Sequence, residues 1–374
     1  MTPTYVSGLD RVSGLRAKER KTLEPVAKEF EFGANDYYLS LIDWNDPDDP
    51  IRRIIIPDAA ELEPWGQTDP SSEASYTVLP GLQHKYPSTA VLLVSDLCGG
   101  RCRFCFRKRL FFERSDEVSK DVSQGIAYIR EHDEINNVLL TGGDALMRST
   151  AALESIVGEL MAIDHVRIVR LGTKLPAFNP WRVLDDPALL ELASRVSRGD
   201  KRLYFMIQFN HWRELTEPAR EAISLLQRTG AAICQQTPLI RGVNDDPWDL
   251  AKLWSELSFL GVAPYYVFQC RPTVGNRTYA VPVEESYVIV EGARAKCSGL
   301  AKRARFVMSH ARGKIEIVGL TNDQIFMRFH RAPGRQDRGR FLIFPSNPQA
   351  YWLDDYTNPV YQIGLARLTS SFVG

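Results

Sequence analysis

The sequence predicts an α/β chain organised as a partial (βα)6 barrel, with a helical extension before it and an α+β segment after it. Three observations carry that prediction. Between residues 90 and 269, short runs rich in Val, Ile and Leu alternate with longer amphipathic segments, the pattern of βαβ units and a parallel sheet. The apolar runs fall in an unbroken series at 90–97, 137–140, 166–171, 203–209, 231–237 and 264–269. Such a series suits an incomplete barrel at least as well as an open doubly wound sheet. The chain has 374 residues, more than the roughly 250 that wrap a typical barrel, so flanking segments are expected.

Taken in order, residues 1–80 mix a charged, helix-forming stretch (Arg16 to Phe32) with turns such as Asp46-Pro47-Asp48-Asp49-Pro50. Hydrophobic periodicity is weak there, which predicts a helical cap. Residues 81–280 hold the barrel, with crossover helices expected at 121–132, 151–162, 187–196, 216–229 and 247–260. The pattern weakens after Pro272. In residues 281–374 a helix is expected over Glu284 to Lys296, then strands at Arg305 to Met308 and Ile315 to Val318. An antiparallel hairpin follows over Gln324 to Phe344, turning at Gly334 to Gly339.

Lys+Arg (46) cancels Asp+Glu (46), so the chain lacks the long-range field of a general nucleic-acid or anionic-membrane binder. Hydrophobic content of 44% with 25% charge describes a soluble globular protein. Met1-Thr2-Pro3-Thr4-Tyr5 has no signal pattern, and the run Ala90 to Val94 is far too short to span a bilayer. The expectation is a cytoplasmic protein with neither nucleic-acid nor membrane partners.

Six cysteines in a chain this long do not make a disulfide framework. Cys234, Cys270 and Cys297 stand alone and are expected to be small buried hydrophobes. Cys98-x3-Cys102-x2-Cys105, by contrast, directly follows the first barrel strand. Three thiolates on one short loop can wrap a corner of a cubane iron–sulfur cluster, leaving the fourth iron open. Zinc is the alternative and would make the chain a non-enzymatic, metal-stabilised module. A closed zinc site needs four protein ligands, however, and His84 and His132 lie outside the loop.

The cysteine spacing, with Thr141-Gly142-Gly143-Asp144 after the second strand, resembles the radical S-adenosylmethionine (SAM) enzymes. That resemblance implies a [4Fe–4S] cluster on Cys98, Cys102 and Cys105, and SAM held by Gly142, Gly143 and Asp144. Gln208 stands where the family has a SAM-contacting histidine. Pro80-Gly81-Leu82-Gln83-His84-Lys85-Tyr86-Pro87, Cys105-Phe106-Arg107-Lys108-Arg109, Phe209-Asn210-His211, Gly242-Val243-Asn244-Asp245 and Gln269-Cys270 narrow the likeness. Over about residues 80–320 the chain is similar to the lysine 2,3-aminomutase family.

The resemblance implies pyridoxal 5′-phosphate (PLP) on Lys314, the Schiff-base position, with Lys85 and Gln236 at phosphate-contact positions. Thr89 replaces a phosphate-binding arginine of the family. The lysine loop is shorter than the family's glycine run and contains His310 and Arg312. Arg107 matches the arginine that grips the substrate α-carboxylate, a job suited to its bidentate fork. Arg271 and Ser309 stand where lysine enzymes carry aspartates for the distal ammonium. That inverts the charge logic and points away from lysine toward a glutamate-like substrate, unless Arg271 pairs with Glu284 or Glu285.

The implied reaction is a 2,3-amino shift on an amino acid, through a 5′-deoxyadenosyl radical and a PLP aldimine. A flavodoxin- or ferredoxin-like electron donor and a homo-oligomer are the implied partners. The alternative is a PLP-independent radical SAM enzyme, such as a desaturase or epimerase, on the same scaffold.

Overall fold

The computed structural model describes residues 2–111, 117–119 and 121–363. A small antiparallel pair, β1 (Tyr5–Val6) and β2 (Ala34–Asn35), brackets the helix Ala17–Glu29. The next substantial helix, Pro50–Ile55, shows why this region folds without a long apolar pattern. Asp49 accepts a hydrogen bond from the Arg52 N–H at 2.8 Å, and Pro50 takes the first helical position, where its missing N–H is not needed. Ile51, Ile54 and Ile55 then share one fully buried face.

One sheet of thirteen strands follows, in strictly sequential order. It opens with β3 (Thr77–Leu79), β4 (Leu82–Tyr86) and β5 (Thr89–Ser95). β6 (Asn137–Gly142), β7 (Ile168–Thr173), β8 (Arg202–Gln208), β9 (Ala232–Pro238) and β10 (Ala263–Phe268) come next. β11 (Arg305–His310), β12 (Gly313–Leu320), β13 (Gln324–Arg331), β14 (Phe341–Pro345) and β15 (Tyr361–Ile363) complete it. β5 to β11 run parallel, and both flanks are antiparallel.

The crossover helices start where local chemistry allows. Ser149, Asp186, Thr216 and Asp246 each accept a hydrogen bond from the first turn that they precede. Along the parallel strands the two-residue period divides the faces. Val138, Leu140, Val169 and Leu171 are fully buried in the core, while Leu139, Thr141, Arg170 and Gly172 face a pocket. The sheet is curled, because strands far apart in its hydrogen-bonding order touch. Arg331 Nη2 of β13 donates to Thr89 Oγ1 of β5 at 2.9 Å, and Lys85 Nζ of β4 donates to the His310 carbonyl of β11 at 2.6 Å.

The sequence pattern stops the parallel series at six strands; the structure continues it with β11, which pairs parallel to β10. The irregular stretch after Phe268 hides this continuation, since the crossover helix Val283–Ala295 begins only after a long non-apolar connection. Among the described residues no helix is long and apolar enough to cross a membrane.

Candidate functional site

A cavity of about 340 Å³ opens where the parallel strands end, and the residues that the resemblance assigns to cluster, SAM, PLP and substrate all line it. Cys98, Cys102, Cys105, Gly142, Gly143, Asp144 and Gln208 form one part. Lys85, Gln236, Lys314, Arg107, Arg271 and Ser309 line the cavity too, with Ser309 the direct cross-strand neighbour of Lys314.

The cysteine loop is held by segments remote in sequence. The Arg101 N–H donates to the Gly33 carbonyl (2.7 Å) and the Arg103 N–H to the Ile54 carbonyl (2.9 Å). Asn35 Nδ2 reaches the Gly99 carbonyl at 3.2 Å, and Asn276 Nδ2 reaches the Phe104 carbonyl at 3.0 Å. Between Cys102 and Cys105, the Arg103 guanidinium lies 2.9 and 2.8 Å from the two Glu61 oxygens, in a pair almost wholly out of solvent. Lys108 and the Tyr279 hydroxyl add to the same carboxylate. Removing one partner of a buried, hydrogen-bonded pair costs about 3–5 kcal/mol because the other charge stays buried. Glu61→Ala is therefore expected to lower the denaturation midpoint markedly and to reduce the iron retained after anaerobic reconstitution. Unchanged stability and iron content would show that the loop is set without this pair.

The donor chemistry suits a cluster. Burial pushes the Cys98 thiol well up and the Cys102 thiol up to about 12, so a bound metal would be what keeps them as thiolates. Among the described residues no three His, Cys, Asp or Glu side chains converge as one metal ion would require. A cubane spreads its three cysteines over three irons and needs no such convergence.

The adjacent turn needs its glycines. Gly142 has φ +115°, and a Cβ there would lie 2.4 Å from the Ser95 carbonyl oxygen. A Cβ on Gly143 would lie 2.3 Å from the Leu97 oxygen and 3.1 Å from Cys98 Sγ. Asp144 is already engaged. It accepts from the Leu146 N–H (2.9 Å), the Thr173 hydroxyl (3.0 Å) and the Lys174 N–H (2.6 Å). Burial raises it to about 6 against those bonds. Its carboxylate thus fixes the turn to the end of β7. Gln208 Nε2 donates to Asn210 Oδ1 at 3.2 Å, and Asn210 also receives Lys174 Nζ at 2.6 Å.

The lysine expected on a glycine-rich loop sits instead on β12, after a two-residue turn between His310 and Gly313. Gly313 has φ +150°, and a Cβ would lie 2.4 Å from the Arg331 carbonyl oxygen, so the hairpin can turn this tightly only with glycine. Lys314 Nζ stands 4.1 Å from the Tyr266 ring centroid and 5.0 Å from that of Phe268. Burial, then the charges of Arg331, Arg170, Arg271 and Lys85, hold its ammonium well below the usual lysine range. That favours the free amine, the nucleophilic form. Lys85 is lowered to about 8, chiefly by burial.

A carboxylate that sequence patterning does not mark completes the site. Arg107 Nε and Nη2 grip the two Glu73 oxygens, each at 3.0 Å, and Arg109 Nη2 adds a contact at 2.6 Å. Arg271 Nη1 is 3.7 Å from the same group, with its guanidinium 3.6 Å from the Phe106 ring centroid. Burial alone would raise Glu73, but Arg107, Arg271 and Arg109 outweigh it and hold the carboxyl well below the usual range. The Glu284 or Glu285 pairing considered for Arg271 is not formed. Glu285 binds Arg241, while Glu284 accepts from Ser346 and Asn347. A lone acid in a Ser/Pro/Asp turn carries no periodic signal, so only the fold reveals Glu73.

No protein-family model matches the chain. Over 357 residues it is 55% identical to the "Putative L-lysine 2,3-aminomutase" of Aquifex aeolicus (strain VF5), covering 95% of this chain and 96% of that one. It is 35% identical to the L-lysine 2,3-aminomutase of Clostridium subterminale, covering 79% of this chain and 70% of the relative. The glutamate 2,3-aminomutase of Clostridioides difficile (strain 630) is also 35% identical, with 80% and 70% covered. Such relatives imply SAM and a [4Fe–4S] cluster, which the cysteine corner and glycine turn fit. With near-full-length identity on one side and that corner on the other, the chain belongs to the lysine 2,3-aminomutase family of radical SAM isomerases.

Proposed function

We propose that this protein is a PLP-dependent amino-acid 2,3-aminomutase whose substrate has an anionic or strongly hydrogen-bonding side chain, glutamate before lysine. The observation that carries the reading is Lys314: an amine whose ammonium form is disfavoured by burial and neighbouring cations, lining the same cavity as the three-cysteine loop. In this reading the curled strands β5 to β10 form a partial (βα)6 barrel within residues 81–280. Residues 1–80 cap it, and residues 281–374, of which those beyond 363 lie outside the described residues, add the Lys314 hairpin.

When bound, the reduced cluster and SAM supply a 5′-deoxyadenosyl radical, and PLP supplies a conjugated carrier for the migrating amino group. The chain's own residues do the positioning. Cys98, Cys102 and Cys105 hold the cluster, while Gly142, Gly143 and Gln208 offer SAM a close backbone approach and an amide. Lys314 supplies the amine that anchors PLP. The Arg107 fork takes the substrate α-carboxylate in place of Glu73, whose two oxygens it holds in the same bidentate way. Arg109 is also paired with Glu117 and Asp69, so the charge available to a substrate's side-chain carboxylate is that of Arg271, 3.7 Å from Glu73, and neither Arg271 nor Ser309 can neutralise a lysine ammonium. An external one-electron donor of flavodoxin or ferredoxin type completes the reading.

The test is anaerobic incubation with SAM and reductant, with glutamate and lysine supplied in parallel and their β-isomers quantified. Glutamate is expected to be the better substrate. Arg271→Ala should weaken its binding by roughly tenfold to a hundredfold, the value of one charged hydrogen bond. A wild-type preference for lysine would overturn the substrate assignment. An unchanged affinity in Arg271→Ala would make Arg271 solely a partner of Glu73. Thr89, at the position of the family's phosphate-binding arginine, favours a second reading in which radical chemistry proceeds without PLP. Borohydride reduction followed by mass spectrometry separates the two, since only the first leaves a pyridoxyl mass on Lys314.

A further inference from the structure

We infer that Arg331, backed by Arg170, holds a phosphate monoester dianion in the pocket beside Lys314. On the aminomutase reading, on which this inference rests, that group is the phosphate of PLP. Arg331 is the cross-strand partner of Lys314 in the β12–β13 ladder, and both line the cavity. Its Nη2 donates to Thr89 Oγ1 at 2.9 Å, and its guanidinium lies 4.2 Å from the Tyr86 ring centroid. Arg170 rises from β7 into the same space, and its Nε is shut off from solvent without a hydrogen-bond partner.

The cavity's other arginines, Arg107 and Arg271, have a carboxylate beside them. Arg107, Arg109 and Arg271 share Glu73. Arg170 and Arg331 have no carboxylate partner among the described residues, and the charge of Arg331 adds to burial in disfavouring positive charge on Arg170. Two cavity-lining guanidiniums without a counter-ion, one with its Nε shut off from solvent, are costly unless an anion completes them. A phosphate monoester carries about −1.5 to −2 charges and three acceptor oxygens, matching two guanidiniums in charge and geometry. A single carboxylate would leave one of them unpaired. Thr89 Oγ1 and Gln236 lie in the same cavity as further polar contacts. Arg331 therefore brings from β13 the guanidinium that position 89 lacks on β5.

The experiment titrates the anaerobically reconstituted full chain with PLP, with pyridoxal and with inorganic phosphate, following binding by absorbance and calorimetry. Four proteins are compared with wild type: Arg331→Ala, Arg331→Gln, Arg170→Ala, and the double variant Thr89→Arg/Arg331→Ala. Loss of Arg331 is expected to weaken PLP binding by about tenfold to a hundredfold while leaving pyridoxal unchanged. The double variant should recover PLP binding, since an arginine at 89 would occupy the space where Arg331 now meets Thr89. Equal PLP affinity in wild type and in all the arginine variants would overturn the inference and leave the PLP reading standing. Wild-type binding of inorganic phosphate that depends on Arg331, without PLP binding, would support the anion site but assign it to a phosphorylated substrate, and the PLP reading would fall. No binding of either would defeat both. If Arg331→Ala loses pyridoxal as well, its pocket has collapsed, and Arg331→Gln and Arg170→Ala decide.

Discussion

Replacing Cys98, Cys102 or Cys105 by alanine, one at a time, is expected to abolish the iron–sulfur cluster and every activity that depends on SAM cleavage. The cluster would have three protein ligands on one loop, so no remaining side chain replaces a lost thiolate. The same substitution at Cys234, Cys270 or Cys297 is expected to leave iron and sulfide content at the wild-type level. Cys234 and Cys297 lie outside the cavity, and Cys270, buried at its wall, directs its thiol toward the Arg271 carbonyl. Iron and sulfide analysis after anaerobic reconstitution checks this, together with the absorbance of the cluster. An equal loss on replacing any of the second three would replace the three-ligand site by another set.

Lys314→Ala is expected to reduce isomerisation to background and to remove the pyridoxyl mass trapped by borohydride, while reductive SAM cleavage stays measurable. The two activities come apart because Lys314 sits on the β12 hairpin and the cysteines on the loop after β5, each with its own supports. Alanine also removes a buried amine crowded by Arg331, Arg170, Arg271 and Lys85, so it takes away an electrostatic burden and should not destabilise the fold by that route. Isomerisation at the wild-type rate in this variant, or turnover without PLP, would move the protein to the PLP-independent reading.

The residues that carry local chemistry are legible in the order of amino acids. Cysteines at fixed spacing, glycines at a strand end and a lysine after a late strand are short-range patterns, and a linear sequence records them directly. The alternation of apolar runs and amphipathic segments marks β5 to β10 and their crossover helices, because each strand buries one face in the core beneath an amphipathic helix. The two-residue period likewise marks the β13–β14 hairpin.

What escapes the sequence depends on closure of the sheet. Glu73 meets Arg107, Arg109 and Arg271 only because the turn before β3 is folded over the strand ends, a contact with no spacing rule. Glu61 anchors Arg103 across a gap of 42 residues for the same reason. β11 and the helix before it are legible in the sequence, but that β11 pairs parallel to β10 and extends the series is not, because the long connection after Phe268 separates them from it. Arg331 meets Thr89 because the sheet curls until β13 reaches β5. Sequence by itself determined which groups are available for the chemistry and the order of the strands that carry them. Tertiary structure alone decided which charges confront each other, since long-range electrostatics follows distance in space and burial, and neither is a function of position along the chain.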